Sequence, residues 1–201
     1  MGLNRRQKEA IIGFILGDAY LQKTGEKNAR LRLEHSVKQK EYIFWKYELL
    51  KEWMQSPPKL VRRFNPVWKR EYCYYRCQSH ASPHFGKMRQ LFYDNDSRKI
   101  IPDSVISFLK SPLTLAVWFM DDGYLYHRDK TAYMYLSQYG EKQVNLIKEA
   151  LSRNFGLAVL VKIKKNKYPC FIFPVAETKK LMKIISPFVI PFMKYKLLST
   201  P

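Results

Sequence analysis

Apolar residues along this chain follow a period near 3.6 in some stretches and 2 in others, and the two periods alternate in the same order twice. The segments Ile11-Ile-Gly-Phe-Ile-Leu16 and Leu115-Ala-Val-Trp-Phe-Met120 are apolar and of helix length. Each stops on an acid, Asp18 or Asp121-Asp122, then on a small residue able to end a helix, then on Tyr-Leu opening a strand-like stretch. Arg30-Leu-Arg-Leu-Glu34 and Ala132-Tyr-Met-Tyr-Leu136 alternate as strands do. Tyr42, Trp45, Leu49 and Trp53 then share one helical face, as do Val144, Ile147, Leu151 and Phe155. Hairpin patterns follow, over residues 60–78 with a turn at Asn65-Pro66 and over 157–175 with a turn at Asn166-Lys167. A helix near 84–93 or 177–185 closes each copy. The pattern predicts an α+β fold of two pseudo-symmetric αββαββα halves, residues 1–98 and 99–201, joined by a polar stretch at about 94–112.

Such a duplication gives each apolar helix a partner in its own copy. Ala10, Gly13 and Gly17 fall at three- and four-residue spacing, a strip of small residues on which a second helix can approach closely. The equivalent strip on the second helix is Thr114, Val117 and Asp121.

Composition then says what such a body is for. The 201 residues carry 36 Lys and Arg against 17 Asp and Glu, a formal charge of +19, and a surplus of that size suits a polyanion. Fourteen Tyr, twelve Phe and four Trp exclude a basic disordered tail, so the charge sits on a folded body. The longest apolar runs are too short to span a bilayer. Glu9 and Asp18 bracket the first run and no small-residue cleavage site follows, so no secretory signal is expected. Three Cys give no disulfide framework and fit a reducing compartment, and an intracellular location is expected.

In a protein short of acids, Asp18, Asp121 and Asp122 recur at the carboxyl ends of their helices, where the macrodipole favours cations. Bringing such acids together calls for a divalent cation, and hard oxygen donors favour magnesium, manganese or calcium over zinc. An acidic metal site in a strongly basic protein points to phosphodiester hydrolysis, the metal activating water and the basic surface docking the nucleic acid backbone.

The segments Gly13-Phe-Ile-Leu-Gly-Asp-Ala19 and Leu115-Ala-Val-Trp-Phe-Met-Asp-Asp-Gly123 resemble the two motifs of the LAGLIDADG homing endonucleases. With Ser56-Pro-Pro58, Lys99-Ile-Ile-Pro102, Phe155-Gly-Leu157 and Met193-Lys-Tyr-Lys-Leu197, the chain is similar to the monomeric, two-motif, intron-encoded branch that includes I-SceI. The resemblance implies saddle-shaped antiparallel sheets lying in the DNA major groove and a metal-dependent endonuclease cutting both strands of a long, mostly asymmetric double-stranded site. It implies Asp18 and Asp122 as metal-binding catalytic acids, the carbonyls of Gly17 and Asp121 as supporting ligands, and Lys99 and Lys196 beside the scissile phosphates. Gln138 falls where members often carry a polar residue. The implied cofactor is magnesium or manganese, with calcium binding but not supporting efficient cleavage. The implied setting is wherever the host genome resides, bacterial cytoplasm or organelle matrix.

Strand alternation supports a sheet with one charged face. Arg30, Arg32 and Glu34 oppose Leu31 and Leu33, and Lys162 and Lys164 alternate with Val161 and Ile163. Arg62, Arg63, Lys69, Arg70 and Arg76 add candidates for phosphate or guanine contacts. Cys73, Cys77, His80 and His84 do not have the spacing of a zinc site, because two residues between the pairs are too few for the chain to fold back. His35 and His127 read as ordinary structural residues, although His35 lies on a strand expected to face DNA. Two rival readings share the fold, a maturase acting on its host intron RNA and a DNA-binding protein without cleavage, while a membrane-surface protein would leave the paired acids unexplained.

Overall fold

A computed structural model describes residues 2–136, 139–164 and 168–198. The chain runs α1 (Arg5–Leu16), β1 (Tyr20–Lys23), β2 (Ala29–Ser36), α2 (Lys40–Leu49), β3 (Lys59–Asn65), β4 (Arg70–Gln78) and α3 (Pro83–Phe92). A short α4 (Val105–Phe108) follows. Then come α5 (Pro112–Asp122), β5 (Gly123–Tyr126), β6 (Thr131–Tyr135), α6 (Glu141–Phe155), β7 (Leu160–Lys164), β8 (Tyr168–Phe173) and α7 (Val175–Ile185). Apart from α4, this is αββαββα twice. Both sheets are antiparallel, and their strand orders, β1-β2-β4-β3 and β5-β6-β8-β7, are the same order repeated.

Local chemistry fixes the motif helices. Asn4 Oδ1 accepts from the Gln7 amide at 2.8 Å and Gln7 Oε1 accepts from the Asn4 amide at 3.1 Å, a capping box that starts α1. Ser111 Oγ caps the Leu113 amide at 3.2 Å and Pro112 holds the first turn of α5.

The chain forms two compact units, Asp18–Gln90, and Met1–Gly17 with Leu91–Pro201. The first holds the β1–β4 sheet over a core that includes Leu31, Leu33, Tyr42, Ile43 and Phe85. The second holds both motif helices and the β5–β8 sheet, with Trp118, Phe119, Met134, Leu151 and Phe171 fully buried. The repeat boundary in sequence and the packing boundary are thus different things: α1 is grouped with its copy α5 rather than with the strands that follow it.

Three local expectations change. On α2 the buried positions are Tyr42, Ile43, Lys46 and Tyr47, while Trp45 and Leu49 are half-buried. The helix ends at Leu49 and a 3-10 turn over Lys51–Trp53 breaks the phase that would have aligned Trp53. Lys46 takes a core position with its Nζ 4.3 Å above the Tyr42 ring. On β7 the apolar residues do not pack: Val161 and Ile163 are exposed because β7 is an edge strand, and they line a groove of about 620 Å³ with Tyr139, Val144 and Pro169. The stretch 94–112 is folded, since α4 buries Val105 and Asn154 Nδ2 donates to the carbonyls of Ile106 and Leu109 at 2.7 Å each. The Asn65 turn is as expected, with Asn65 Oδ1 accepting from the amides of Val67 and Trp68 at 3.0 and 3.1 Å. The Asn166-Lys167 turn lies outside the described residues.

Candidate functional site

Within the unit that holds both motif helices, α1 and α5 run parallel in contact along the small-residue strip. A Cβ added at Gly13 would lie 2.7 Å from the Thr114 carbonyl oxygen and 2.8 Å from Val117 Cβ, and one at Gly17 would lie 2.6 Å from Asp121 Cβ. Only glycine permits that approach. The other ends are tied as well, Thr114 Oγ1 donating to the Glu9 carbonyl and Ser111 Oγ to the Glu9 carboxylate, both at 2.8 Å.

Parallel packing brings the carboxyl ends of α1 and α5 together, where terminal carbonyls lack intrahelical donors and the dipoles are negative. Neither helix has a basic residue in its own last turn. The compensating cations come from far along the chain. Lys99 Nζ donates to the Gly17 carbonyl at 2.6 Å, and Lys196 Nζ donates to the carbonyls of Met120 at 2.5 Å and Asp121 at 3.3 Å. One lysine therefore sits on each helix end, and Lys196 is 8% exposed. Tyr139 adds a third donor, its hydroxyl giving a 3.2 Å bond to the Leu16 carbonyl. Burial, then the nearby charges of Asp122 and Tyr93, push the Tyr139 hydroxyl above its ordinary pKa. It remains a neutral donor.

Asp121 and Asp122 are the last residues of α5 and are half-buried. Trp118, one turn earlier, donates its indole N–H to Asp122 Oδ2 at 3.0 Å while its ring is fully buried. That bond orients the carboxylate from a rigid base. Asp18 follows Gly17 directly in the chain and belongs to the other unit, its side chain 49% exposed and its Oδ2 3.8 Å from His35 Nδ1. His35 is buried beside the Tyr42 ring, with Nδ1 also 3.2 Å from Gln39 Oε1. It occupies the packed face of β2 in phase with Leu31 and Leu33, as an ordinary structural residue of that strand does.

Strand pairing sorts the basic candidates by face. Arg30, Arg32 and Glu34 alternate with the buried Leu31 and Leu33. Pairing of Glu34 with Arg76, Arg76 with Lys59, and Tyr72 with Arg63 puts Arg63, Arg70 and Arg76 on the same outward face. Glu34 joins two of them, accepting from Arg63 at 3.2 and 3.1 Å and from Arg76 Nε at 2.6 Å. Arg62 is carried to the opposite face, 4.0 Å from Glu71, and Lys69 sits in the hairpin turn with φ of 46°. In the other unit Lys162 and Lys164 face outward by their pairing with Cys170 and Tyr168. Gln138 lies outside the described residues.

Sequence reasoning assigned no functional role to Trp118, Tyr139 or His35. Trp118 was the legible one, since it precedes Asp122 by a helical turn. The other two reach their partners only through tertiary packing. Cys77 is buried and its thiol is pushed up to about 12, the reverse of what a metal-binding thiolate needs.

A family model described as the LAGLIDADG DNA endonuclease family matches residues 8–181. The "Probable intron-encoded endonuclease 1" of Wickerhamomyces canadensis is 31% identical over 98% of this chain and 85% of its own length. The "Protein RecA" of Mycobacterium gastri is 28% identical over 98% of this chain, which spans 48% of that longer relative. The solved structure "The homing endonuclease I-WcaI bound to its DNA recognition sequence" superposes with a TM-score of 0.90 at 30% identity, covering 100% of this chain and 89% of that one.

Proposed function

This chain belongs to the LAGLIDADG DNA endonuclease family, and from that premise we propose that it is a monomeric, metal-dependent, site-specific endonuclease that cuts both strands of a long, mostly asymmetric DNA site. The observation that carries the reading is the pairing of the two motif-helix ends, each bearing a lysine on its terminal carbonyls and each running into an acid. The basic surface and the outward arginines of β2 and β4 suit a phosphate backbone. No helix among the described residues is long and apolar enough to cross a membrane.

The acids and terminal carbonyls at these ends are hard oxygen donors, which suit magnesium or manganese better than zinc, with the His35 imidazole beside Asp18 as a nitrogen neighbour. Asp18 and Asp122 would hold the metal through carboxylates, with the Gly17 and Asp121 carbonyls in support. When bound, such an ion supplies an activated water and charge stabilisation for the departing oxygen. The protein's own groups do the rest. Trp118 fixes the direction of the Asp122 carboxylate. Lys99 and Lys196 hold positive charge at the helix ends, where phosphate charge builds as the P–O bond breaks.

The test is a plasmid library carrying randomised inserts, incubated with magnesium, with the linear ends sequenced. One recurrent site cut on both strands is expected. On plasmid bearing that site, Asp18→Asn or Asp122→Asn should abolish linear product, leaving at most nicking, while binding measured in calcium survives. Linear product near the wild-type level from both variants would refute the assignment of the acids.

A further inference from the structure

The outward faces of the two sheets carry different chemistry, and this bears on what each would read. The β1–β4 face presents guanidinium groups, Arg30, Arg32, Arg63, Arg70 and Arg76, with Gln78 beside them and Tyr20, Tyr72 and Tyr74 between them; the arginines are what the second sheet lacks. Two are fixed in place. Arg63 and Arg76 share Glu34, and the Arg63 guanidinium lies 5.1 Å from the Tyr74 ring centroid. Of the five N–H donors on each guanidinium, these bonds take about two, so a second pair of parallel donors remains on a plane that is already ordered.

The β5–β8 face has no arginine among its described residues. It presents Tyr124, Tyr126, Tyr133, Tyr135 and Tyr168, with Lys164 among them. The rings pack on one another, Tyr124 to Tyr126 at 4.8 Å and Tyr126 to Tyr133 at 5.1 Å between centroids. Lys164 is held within this cluster, its Nζ 4.8 and 4.6 Å above Tyr133 and Tyr135 and bonded to the Tyr135 hydroxyl at 2.8 Å. Tyr124 and Tyr126 are 48% and 41% exposed, so the aromatic surface is open.

Resting on the nuclease reading above, we propose that the two sheets divide recognition unequally. The β1–β4 face reads its half-site base by base through guanine, and the β5–β8 face reads a thymine-rich half-site through ring contact with methyl groups. Ordered guanidinium pairs match guanine O6 and N7 in the major groove, whereas tyrosine rings match the thymine methyl and a hydroxyl donates to one acceptor at a time. Bidentate pairs discriminate by roughly 5- to 150-fold per position, the equivalent of the 1–3 kcal/mol such pairs are worth. Single-point and apolar contacts discriminate less. One half-site is therefore sharp and guanine-bearing, the other permissive and rich in thymine.

The test uses the full chain and duplexes randomised across both half-sites, selected by binding in calcium and separately by cleavage in magnesium. Wild type, Arg76→Ala, Glu34→Gln and Tyr133→Ala are run in parallel. The wild type should yield one half with strong guanine preferences and one with weak thymine preferences. Arg76→Ala should flatten the guanine half, and Glu34→Gln should lower its preferences several-fold, while Tyr133→Ala should alter only the other half. If Arg76→Ala fails to fold, Arg76→Lys replaces it, and if Tyr133→Ala fails, Tyr135→Ala, which removes a ring from the same face, replaces it; the wild-type asymmetry is itself decisive. A selected and cleaved site with equally sharp halves, or guanine preferences that respond to Tyr133 and not to Arg76, overturns the division and leaves the nuclease reading standing. No selected site under either condition overturns both.

Discussion

Gly13→Ala probes the motif-helix contact on which the site depends. The new methyl would lie 2.7 Å from the Thr114 carbonyl oxygen, 2.8 Å from Val117 Cβ and 2.9 Å from Val117 Cγ1. A backbone oxygen and a Cβ cannot rotate away, so the helices must part by about 0.7 Å to regain the 3.4 Å of an ordinary contact. Overpacking of this kind costs about 1–3 kcal/mol. Alanine returns about 1 kcal/mol through helix propensity. The net loss is thus up to about 2 kcal/mol, or a Tm lower by up to roughly 8 °C at this chain length. The same parting shifts the helix end at Gly17 against Asp121, so cleavage should fall by more than DNA binding does. Circular dichroism melts and urea titrations measure the first effect, and linearisation of plasmid bearing the selected site measures the second. Adding Val117→Ala should recover part of the stability and not all of it, because the Thr114 oxygen stays. A Gly13→Ala protein that melts higher than wild type would refute close packing at this position.

Trp118→Phe keeps the buried ring and removes the donor to Asp122; a bond to a charged group is worth about 1.5–3 kcal/mol, so magnesium-supported cleavage should slow roughly tenfold or more with calcium-supported binding unchanged. Lys99→Ala and Lys196→Ala should each slow cleavage by about tenfold to a thousandfold with smaller losses in binding, and Lys196→Ala should also lower the Tm because it strips a donor from buried carbonyls. Raising pH should destabilise the fold: Cys77 stays protonated in the native state up to about 12 while the unfolded thiol ionises near its ordinary value. The unfolded chain therefore binds fewer protons, and stability falls as pH rises through that window, with Tyr139 acting in the same sense once pH passes the ordinary tyrosine value of 10.0. Urea midpoints at pH 7, 9 and 10.5 check this, and a Cys77→Ala protein should show a shallower decline. Affinity for the selected duplex should fall by roughly three powers of ten or more between about 50 and 200 mM salt if six to ten phosphates are contacted, and a flat anisotropy response would count against a DNA-docked sheet.

What the amino-acid sequence determined was everything carried by local period and local order. The duplicated αββαββα pattern, the acids ending both motif segments, and the small strip of Ala10, Gly13 and Gly17 are each written within a few turns of chain, so backbone geometry alone reveals them. The strip even named its partner residues, because Thr114, Val117 and Asp121 recur at the same spacing. Tertiary structure decided what depends on residues far apart in sequence. That Lys99 and Lys196 cap the motif helices, that Tyr139 reaches Leu16, and that Glu34 gathers Arg63 and Arg76 are contacts spanning 29 to 123 residues, which no period encodes. The same holds where alternation misled. A strand pattern says that two faces differ, but not whether a neighbour covers the apolar one, and at the edge strand β7 Val161 and Ile163 remain exposed. Register likewise had to be seen to tell which of Arg62 and Arg63 faces outward, since a slip of one residue exchanges them.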